Sequence, residues 1–152
     1  MRDHFLGRAS ADVDVELYDV DPHRFEQIMQ DFGAQGVGKS YFVYKYKSFD
    51  ISLPRTESKT GIGHKGFSVA LATDEHEASR RRDFTINAMM IDAISGKVLD
   101  FYGGLADLHA RILRVVDPHI FVEDSLRVYR AVQFAARFEL RAEHRTLELM
   151  RS

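Results

Sequence analysis

The sequence predicts an α/β (α+β) fold, a small mixed sheet flanked by helices and followed by the start of an all-helical segment. Three observations lead there. Segments with strand alternation, at residues 13–18, 42–46 and 49–53, are interleaved with segments of helical periodicity at 22–32, 105–110 and 123–138. The chain has 152 residues, 45% of them hydrophobic, enough for one real core. It has no cysteine, which rules out disulfide staples and thiolate metal sites and fits a reducing compartment.

The net charge of −2 provides no global basic field for a polyanion. Arginines nevertheless crowd Arg80-Arg81-Arg82 and residues 111–151, so any such contact is local. No secretory signal or apolar run of spanning length is present, and the expectation is a soluble, cytoplasmic protein with no membrane partner.

Taken in order, a short opening helix ends at Leu6-Gly7, and residues 9–11 are small enough for a turn. The strand at 13–18 continues the stretch Ala11-Asp12-Val13-Asp14-Val15-Glu16. Alternation places Asp12 and Asp14 on one face and Val13 and Val15 on the other. Two carboxylates at ~4 Å repel by roughly 4 kcal/mol at an effective dielectric of ~20, so the pair calls for a cation. Mg²⁺ takes hard oxygen ligands, one or two carboxylates plus substrate phosphates, as a phosphoryl or nucleotidyl transfer site supplies. A half-exposed strand of alternating polarity reads the same way.

Asp21-Pro22 is a helix start, because Asp caps free N–H groups and Pro fits the first turn. Phe25, Ile28, Met29 and Phe32 form one helical face for packing, and Gly33 stops the helix. Residues 42–46 and 49–53 read as a hairpin across Lys47-Ser48, ended by Pro54. Asp50 alternates with Phe49 and Ile51. It is either a third carboxylate on the face of Asp12 and Asp14 or an exposed strand aspartate.

Residues 55–82 turn polar, with Gly61, Gly63 and Gly66 among Lys59, His64 and Lys65. This predicts a long loop, either a flap over a polyanion or a solvated segment. In Arg80-Arg81-Arg82-Asp83-Phe84-Thr85-Ile86-Asn87, a helix entered at Asp83 brings Asp83 and Asn87 onto one face. There they suit a hydroxyl pair such as a ribose, with Arg82 beside them for a phosphate. An N-cap with a basic flank is the simpler account. Residues 89–91 and 98–101 form a hairpin across Ser95-Gly96, 105–110 a helix and 112–116 a strand.

The last informative helix spans 123–138, and a final helix reads on to Ser152. Val122, Leu126, Tyr129 and Val132 make an apolar stripe, and Glu123, Asp124, Arg127 and Arg130 a charged face. Asp124 and Arg127, one turn apart, can present an acceptor and a donor fork to a nucleobase edge, with Arg130 near a triphosphate. A salt-bridged surface helix has the same pattern.

Together these stretches resemble the tRNA nucleotidyltransferase and poly(A) polymerase family, specifically bacterial CCA-adding enzymes. Met1-Arg2-Asp3-His4-Phe5-Leu6-Gly7 resembles the tail of the family's glycine-glycine-x-x-Arg-Asp loop, followed by Asp12 and Asp14. Arg55-Thr56-Glu57 with Gly61, Gly63, Gly66 and Phe67 is similar to its flexible loop. Arg81-Arg82-Asp83-Phe84-Thr85-Ile86-Asn87-Ala88 matches its ribose motif, and Glu123-Asp124-x-x-Arg127-x-x-Arg130-Ala131 its amino-acid template for the base. Four motifs in order make the resemblance specific.

The resemblance implies a nucleotidyltransferase head of the DNA polymerase beta-like type at residues 1–116, and at 117–152 the start of a helical neck carrying the nucleobase-template helix. It implies Mg²⁺ on the catalytic carboxylates Asp12 and Asp14, with Asp50 assisting. Arg2, Arg82 and Arg130 would bind phosphates, Asp83 and Asn87 the ribose 2′-hydroxyl, and Asp124 with Arg127 the base of CTP or ATP. The implied reaction is addition of C, C and A to the tRNA 3′ end. A poly(A) polymerase, a CC-only or A-only relative, and a non-catalytic nucleotide- or tRNA-binding module are the other readings. Against the family pattern, the glycine pair and first strand before Met1 are missing, as are the neck, body and tail beyond Ser152, and Gln133 replaces a frequent arginine. The expectation is a head truncated at both ends.

Overall fold

A computed structural model describes residues 1–9, 13–37, 43–59 and 67–151. Asp12, Gly61, Gly63 and Gly66 lie outside the described residues. The chain opens with α1 (Arg2–Phe5), β1 (Val13–Glu16), α2 (Pro22–Asp31), β2 (Gln35–Gly36), β3 (Val43–Tyr46) and β4 (Phe49–Ser52). The four strands form one sheet in the order β1-β4-β3-β2, with β1 parallel to β4 and the other pairs antiparallel. The sheet is mixed, as the sequence predicts, and β1 forms one edge.

Register decides what each face carries. Val15, Ile51 and Tyr44 are partners across three strands, and this face meets α2 in a small core of Phe25, Met29 and Leu53, each at most 3% exposed. The next row, Asp14, Asp50 and Lys45, belongs to the opposite face. Helix α2 is fixed at both ends by local chemistry. Asp21 accepts from the Arg24 N–H at 3.0 Å. Gly33, at a φ of +68°, lets its own N–H and that of Ala34 reach the carbonyls of Gln30 and Met29. Phe32 departs from the predicted packing face. As the C-cap of α2 it is 62% exposed and lies edge-on to Tyr46.

The predicted long loop at 55–82 is instead largely regular. β5 (Arg55–Lys59) pairs antiparallel with β6 (Phe67–Leu71), and α3 (Glu75–Arg80) follows. Residues 67–71 alternate large apolar with small side chains, a strand pattern hidden by its polar flanks. Helix α3 starts on a reciprocal cap: Asp74 accepts from the Glu77 N–H at 2.8 Å, and the Glu77 carboxylate accepts from the Thr73 N–H.

No α-helix starts at Asp83. Phe84 is extended and bridges to Val115, and a single 3₁₀ turn follows at Thr85–Asn87. The predicted hairpin is present as β7 (Met90–Ile91) and β8 (Val98–Leu99). Next come α4 (Gly104–His109), β9 (Ile112–Leu113), shorter than the predicted strand, α5 (Pro118–Phe121), α6 (Leu126–Phe138), β10 (Arg141–Ala142) and α7 (His144–Arg151). The predicted helix at 123–138 therefore begins at Leu126, with Glu123 and Asp124 in the turn before it, and ends at Glu139, which is left-handed. β10 pairs with β9 in parallel.

The faces of α6 are the reverse of the prediction. Val122, Leu126, Tyr129 and Val132 point outward, between 50% and 75% exposed. Ala131, Phe134 and Phe138 point inward, into a second core with Phe84, Ile86, Leu108, Leu113 and Phe121. Among the described residues no helix is long and apolar enough to cross a membrane.

Gly104 permits the closest approach in this core. A Cβ there would lie 2.2 Å from the Thr85 carbonyl oxygen, which is backbone and cannot swing aside. We expect Gly104→Ala to lower the unfolding free energy by roughly 1–3 kcal/mol, read from the urea midpoint. The cap of α5 gives a pH signature. Burial pushes the Asp117 carboxyl up, but the Arg80 guanidinium at 2.7 Å and the His119 and Ile120 N–H groups outweigh it and hold it below the ordinary 3.8. Its contribution to stability is thus present above pH 3.8 and lost as pH falls through the lowered value. Asp117→Asn should remove that part of the acid limb in melting curves.

Candidate functional site

The site forms where the 3₁₀ turn, α1 and α6 converge on Asp83. This carboxylate is 6% exposed and accepts three hydrogen bonds: from the Phe84 N–H at 2.8 Å, the Asn87 side-chain amide at 2.9 Å and Arg130 Nε at 2.6 Å. Asn87 in turn accepts from Arg2, whose guanidinium also pairs with Asp3 at 3.2 Å. Four predicted residues, Arg2, Asp83, Asn87 and Arg130, are therefore one connected network. Asp83 and Asn87 meet as expected, but through a 3₁₀ turn instead of an α-helix. An ionised carboxylate has about four acceptor positions, so about one remains at Asp83, and Asn87 keeps one amide proton. An acceptor beside a donor is what a sugar hydroxyl needs.

Two stacked phenylalanine rings floor this network. Phe134 and Phe138 have centroids 6.1 Å apart. The Arg130 guanidinium lies 5.0 Å from the Phe134 centroid, and that of Arg2 lies 4.9 Å from Phe134 and 4.3 Å from Phe138. The arginines of α6 thus share its buried aromatic side, because Arg127, Arg130, Ala131, Phe134 and Phe138 recur at helical spacing.

A second group links the arginines to the sheet. Glu16, with a side chain 8% exposed, takes Arg82 at 2.7 Å and Arg81 at 3.4 Å and accepts from the Tyr18 hydroxyl at 2.8 Å. Burial, reinforced by the Glu16 charge, pushes the Tyr18 phenol above its ordinary value, so it stays a donor. Arg127 donates to the Arg81 carbonyl at 3.0 Å, tying α6 to the same segment. Asp124 accepts from the Leu126 N–H at 3.0 Å and shapes the turn into α6.

Glu16 lies two residues after Asp14 and shares its face, next to the Asp14–Asp50 row. Asp50 pairs with Lys45 at 3.5 Å. Asp12 lies outside the described residues, and among the described residues no group of three or more potential ligands forms a metal cage. The donors present still fit Mg²⁺, which binds through one or two carboxylates and fills its shell with water and substrate phosphate. Asp14 and Asp50 are hard oxygen donors in register on adjacent strands.

Glu16, Lys45, Arg81 and the two phenylalanines are additions to the predicted set. Alternation from Asp12 and Asp14 was the signal for Glu16; the others depend on pairings between distant segments. A cleft of about 260 Å³ lined by Leu17, Val20, Leu53, Leu71 and Thr73 shares only Tyr18 with these groups.

Residues 1–114 match the model of the Poly A polymerase head domain. Over its full length the chain is 38% identical to a multifunctional CCA protein of Stenotrophomonas maltophilia (strain R551-3), of which it spans 38%. It superposes on the Bacillus stearothermophilus CCA-adding enzyme in complex with CTP at a TM-score of 0.78 and 29% identity, over 97% of this chain and 36% of that one. A tRNA nucleotidyltransferase complexed with a primer tRNA and an incoming ATP analog gives 0.71 and 27%, over 98% and 43%.

Asp83→Ala would leave Asn87 and the Phe84 N–H without their acceptor. We expect a loss of about 1–3 kcal/mol in chemical denaturation. Arg130→Ala should cost less, since that guanidinium is half in water. Equal stability of Asp83→Ala and wild type would show that the network does not hold α6.

Proposed function

The chain belongs to the Poly A polymerase head-domain family, and from that premise we propose that it carries the nucleotidyl-transfer chemistry of a CCA-adding enzyme. Its substrates would be CTP, ATP and the 3′ end of tRNA, acted on in the cytoplasm. One observation supports this reading above the others. Buried Glu16 joins the Asp14–Asp50 face to Arg82, so reacting-centre carboxylates and phosphate-binding cations belong to one unit. The relatives' CTP and ATP-analog complexes agree with that choice of substrates.

In this reading residues 1–116 are the head and 117–152 begin the neck. Asp12 and Asp14 would hold Mg²⁺, with Asp50 assisting, and the bound ion would lower the cost of the primer alkoxide and of charge on the α-phosphate. The other residues act by position. Asp83 and Asn87 orient the ribose through their remaining acceptor and donor. Arg82 and Arg130, each still partly open to solvent, neutralise phosphate oxygens. Arg2 is the least available of the three, 14% exposed and already paired, and it serves the phosphates through Asn87 and the aromatic floor. Asp124 and Arg127 face the base edge. The primer 3′-oxygen bonds to the α-phosphorus as the bond to pyrophosphate breaks, and catalysis is mainly positioning and electrostatics.

Incorporation of labelled CTP and ATP into tRNA lacking its 3′ CCA tests the reading. We expect Asp14→Ala to abolish incorporation while CTP still raises the melting temperature, since metal ligands act on the transition state. Arg127→Ala should relax the choice among the four nucleotides. Undiminished turnover in Asp14→Ala would remove the metal assignment, and unchanged base preference in Arg127→Ala would remove the template assignment.

A further inference from the structure

The aromatic floor carries more cations than the nucleotide site uses. Besides Arg2 and Arg130, the guanidiniums of Arg8 and Arg137 lie 5.0 and 5.2 Å from the Phe138 centroid. The four differ in how they are neutralised. Arg130 is paired with Asp83, and Arg2 with Asp3 and Asn87. Arg8 and Arg137 are both exposed, and neither has a carboxylate within ion-pair distance among the described residues. Glu139, next to Phe138, is exposed and pairs with neither.

Gathering two guanidiniums that have no carboxylate partner among the described residues on one ring, beside a third, is electrostatically unfavourable. Stacking fixes where they stand, and an anion between them would remove the repulsion. Arg2 bridges both rings, so the cations run from the Asp83 network along Phe134 and Phe138 to the turn after Gly7. A row of fixed charges suits a repeating polyanion better than one compact triphosphate.

We propose that Arg8 and Arg137 form a backbone-phosphate site for an RNA strand leaving the nucleotide site. The inference rests on the nucleotidyl-transfer reading only in naming RNA as the polyanion. The pair contributes no base selectivity, because guanidiniums on phosphates carry no sequence information.

The test is binding of a fluorescein-labelled oligocytidylate to the 152-residue chain, followed by anisotropy over a series of salt concentrations. Each of Arg8→Ala and Arg137→Ala should lower the slope of log K against log salt by about 0.7, the value for one single-strand phosphate contact. Arg8→Lys and Arg137→Lys, which keep the charge, should retain the slope. Arg8 lies in an exposed turn, so its variants decide the matter even if Arg137→Ala melts early, and Arg137→Gln provides a milder second change. Unchanged slopes, with only the melting temperature lowered, would reduce both residues to packing and overturn the site. So would weaker CTP binding with RNA binding intact, or loss of binding to phosphatidylserine vesicles alone. A slope shift in a chain that incorporates no nucleotide even when extended at both ends would leave this site standing and sink the nucleotidyl-transfer reading instead.

Discussion

The structure depends on keeping one buried carboxylate ionised. Asp83 sits between the 3₁₀ turn and α6, and it is satisfied by two donors from its own segment, the Phe84 N–H and Asn87, and one from the helix, Arg130. A charge at this depth is tolerable only when it is paired and hydrogen-bonded. The three donors therefore cannot move independently. The Asp83 carbonyl accepts from the Val116 N–H, and the Thr85 N–H donates to the Arg114 carbonyl, so the same segment is also stitched to the strand beside it. Helix α6 is placed by this carboxylate as much as by its apolar contacts.

Glu16 does for the sheet what Asp83 does for the helix. It collects Arg81, Arg82 and the Tyr18 hydroxyl at the end of a strand whose preceding alternate position is Asp14. Because Arg127 bonds the Arg81 carbonyl, sheet, turn and helix form one electrostatic chain. Within it, Arg82 is fixed by a buried acid and still keeps about a third of its side chain in solvent.

What was legible in the sequence was local. Helix α2 could be read because Asp21, Pro22 and Gly33 are terminus chemistry in themselves, and the β3–β4 hairpin because two residues separate its strands. The closeness of Asp83 and Asn87 was legible as a spacing of four, but a 3₁₀ turn satisfies that spacing as well as an α-helix does. Strands β5 and β6 were hidden because polar residues flank a short alternating run. The orientation of α6 was not legible because two stripes compete on it. The one with larger aliphatic residues faces out, since arginines that stack on Phe134 and pair with Asp83 bury the other. Alternation marks the face of Glu16, but its pairing with Arg81, 65 residues away, is one that no spacing rule reaches.

The acidic alternation of β1 has a consequence apart from chemistry. Among the described strands β1 stands at one end of the sheet order, the position at which another extended chain can pair. A second molecule adding its own β1 there would set Asp14 and Glu16 against their counterparts, and like charges across a strand pair repel. The alternating carboxylates of this strand thus also make it a poor seed for self-association.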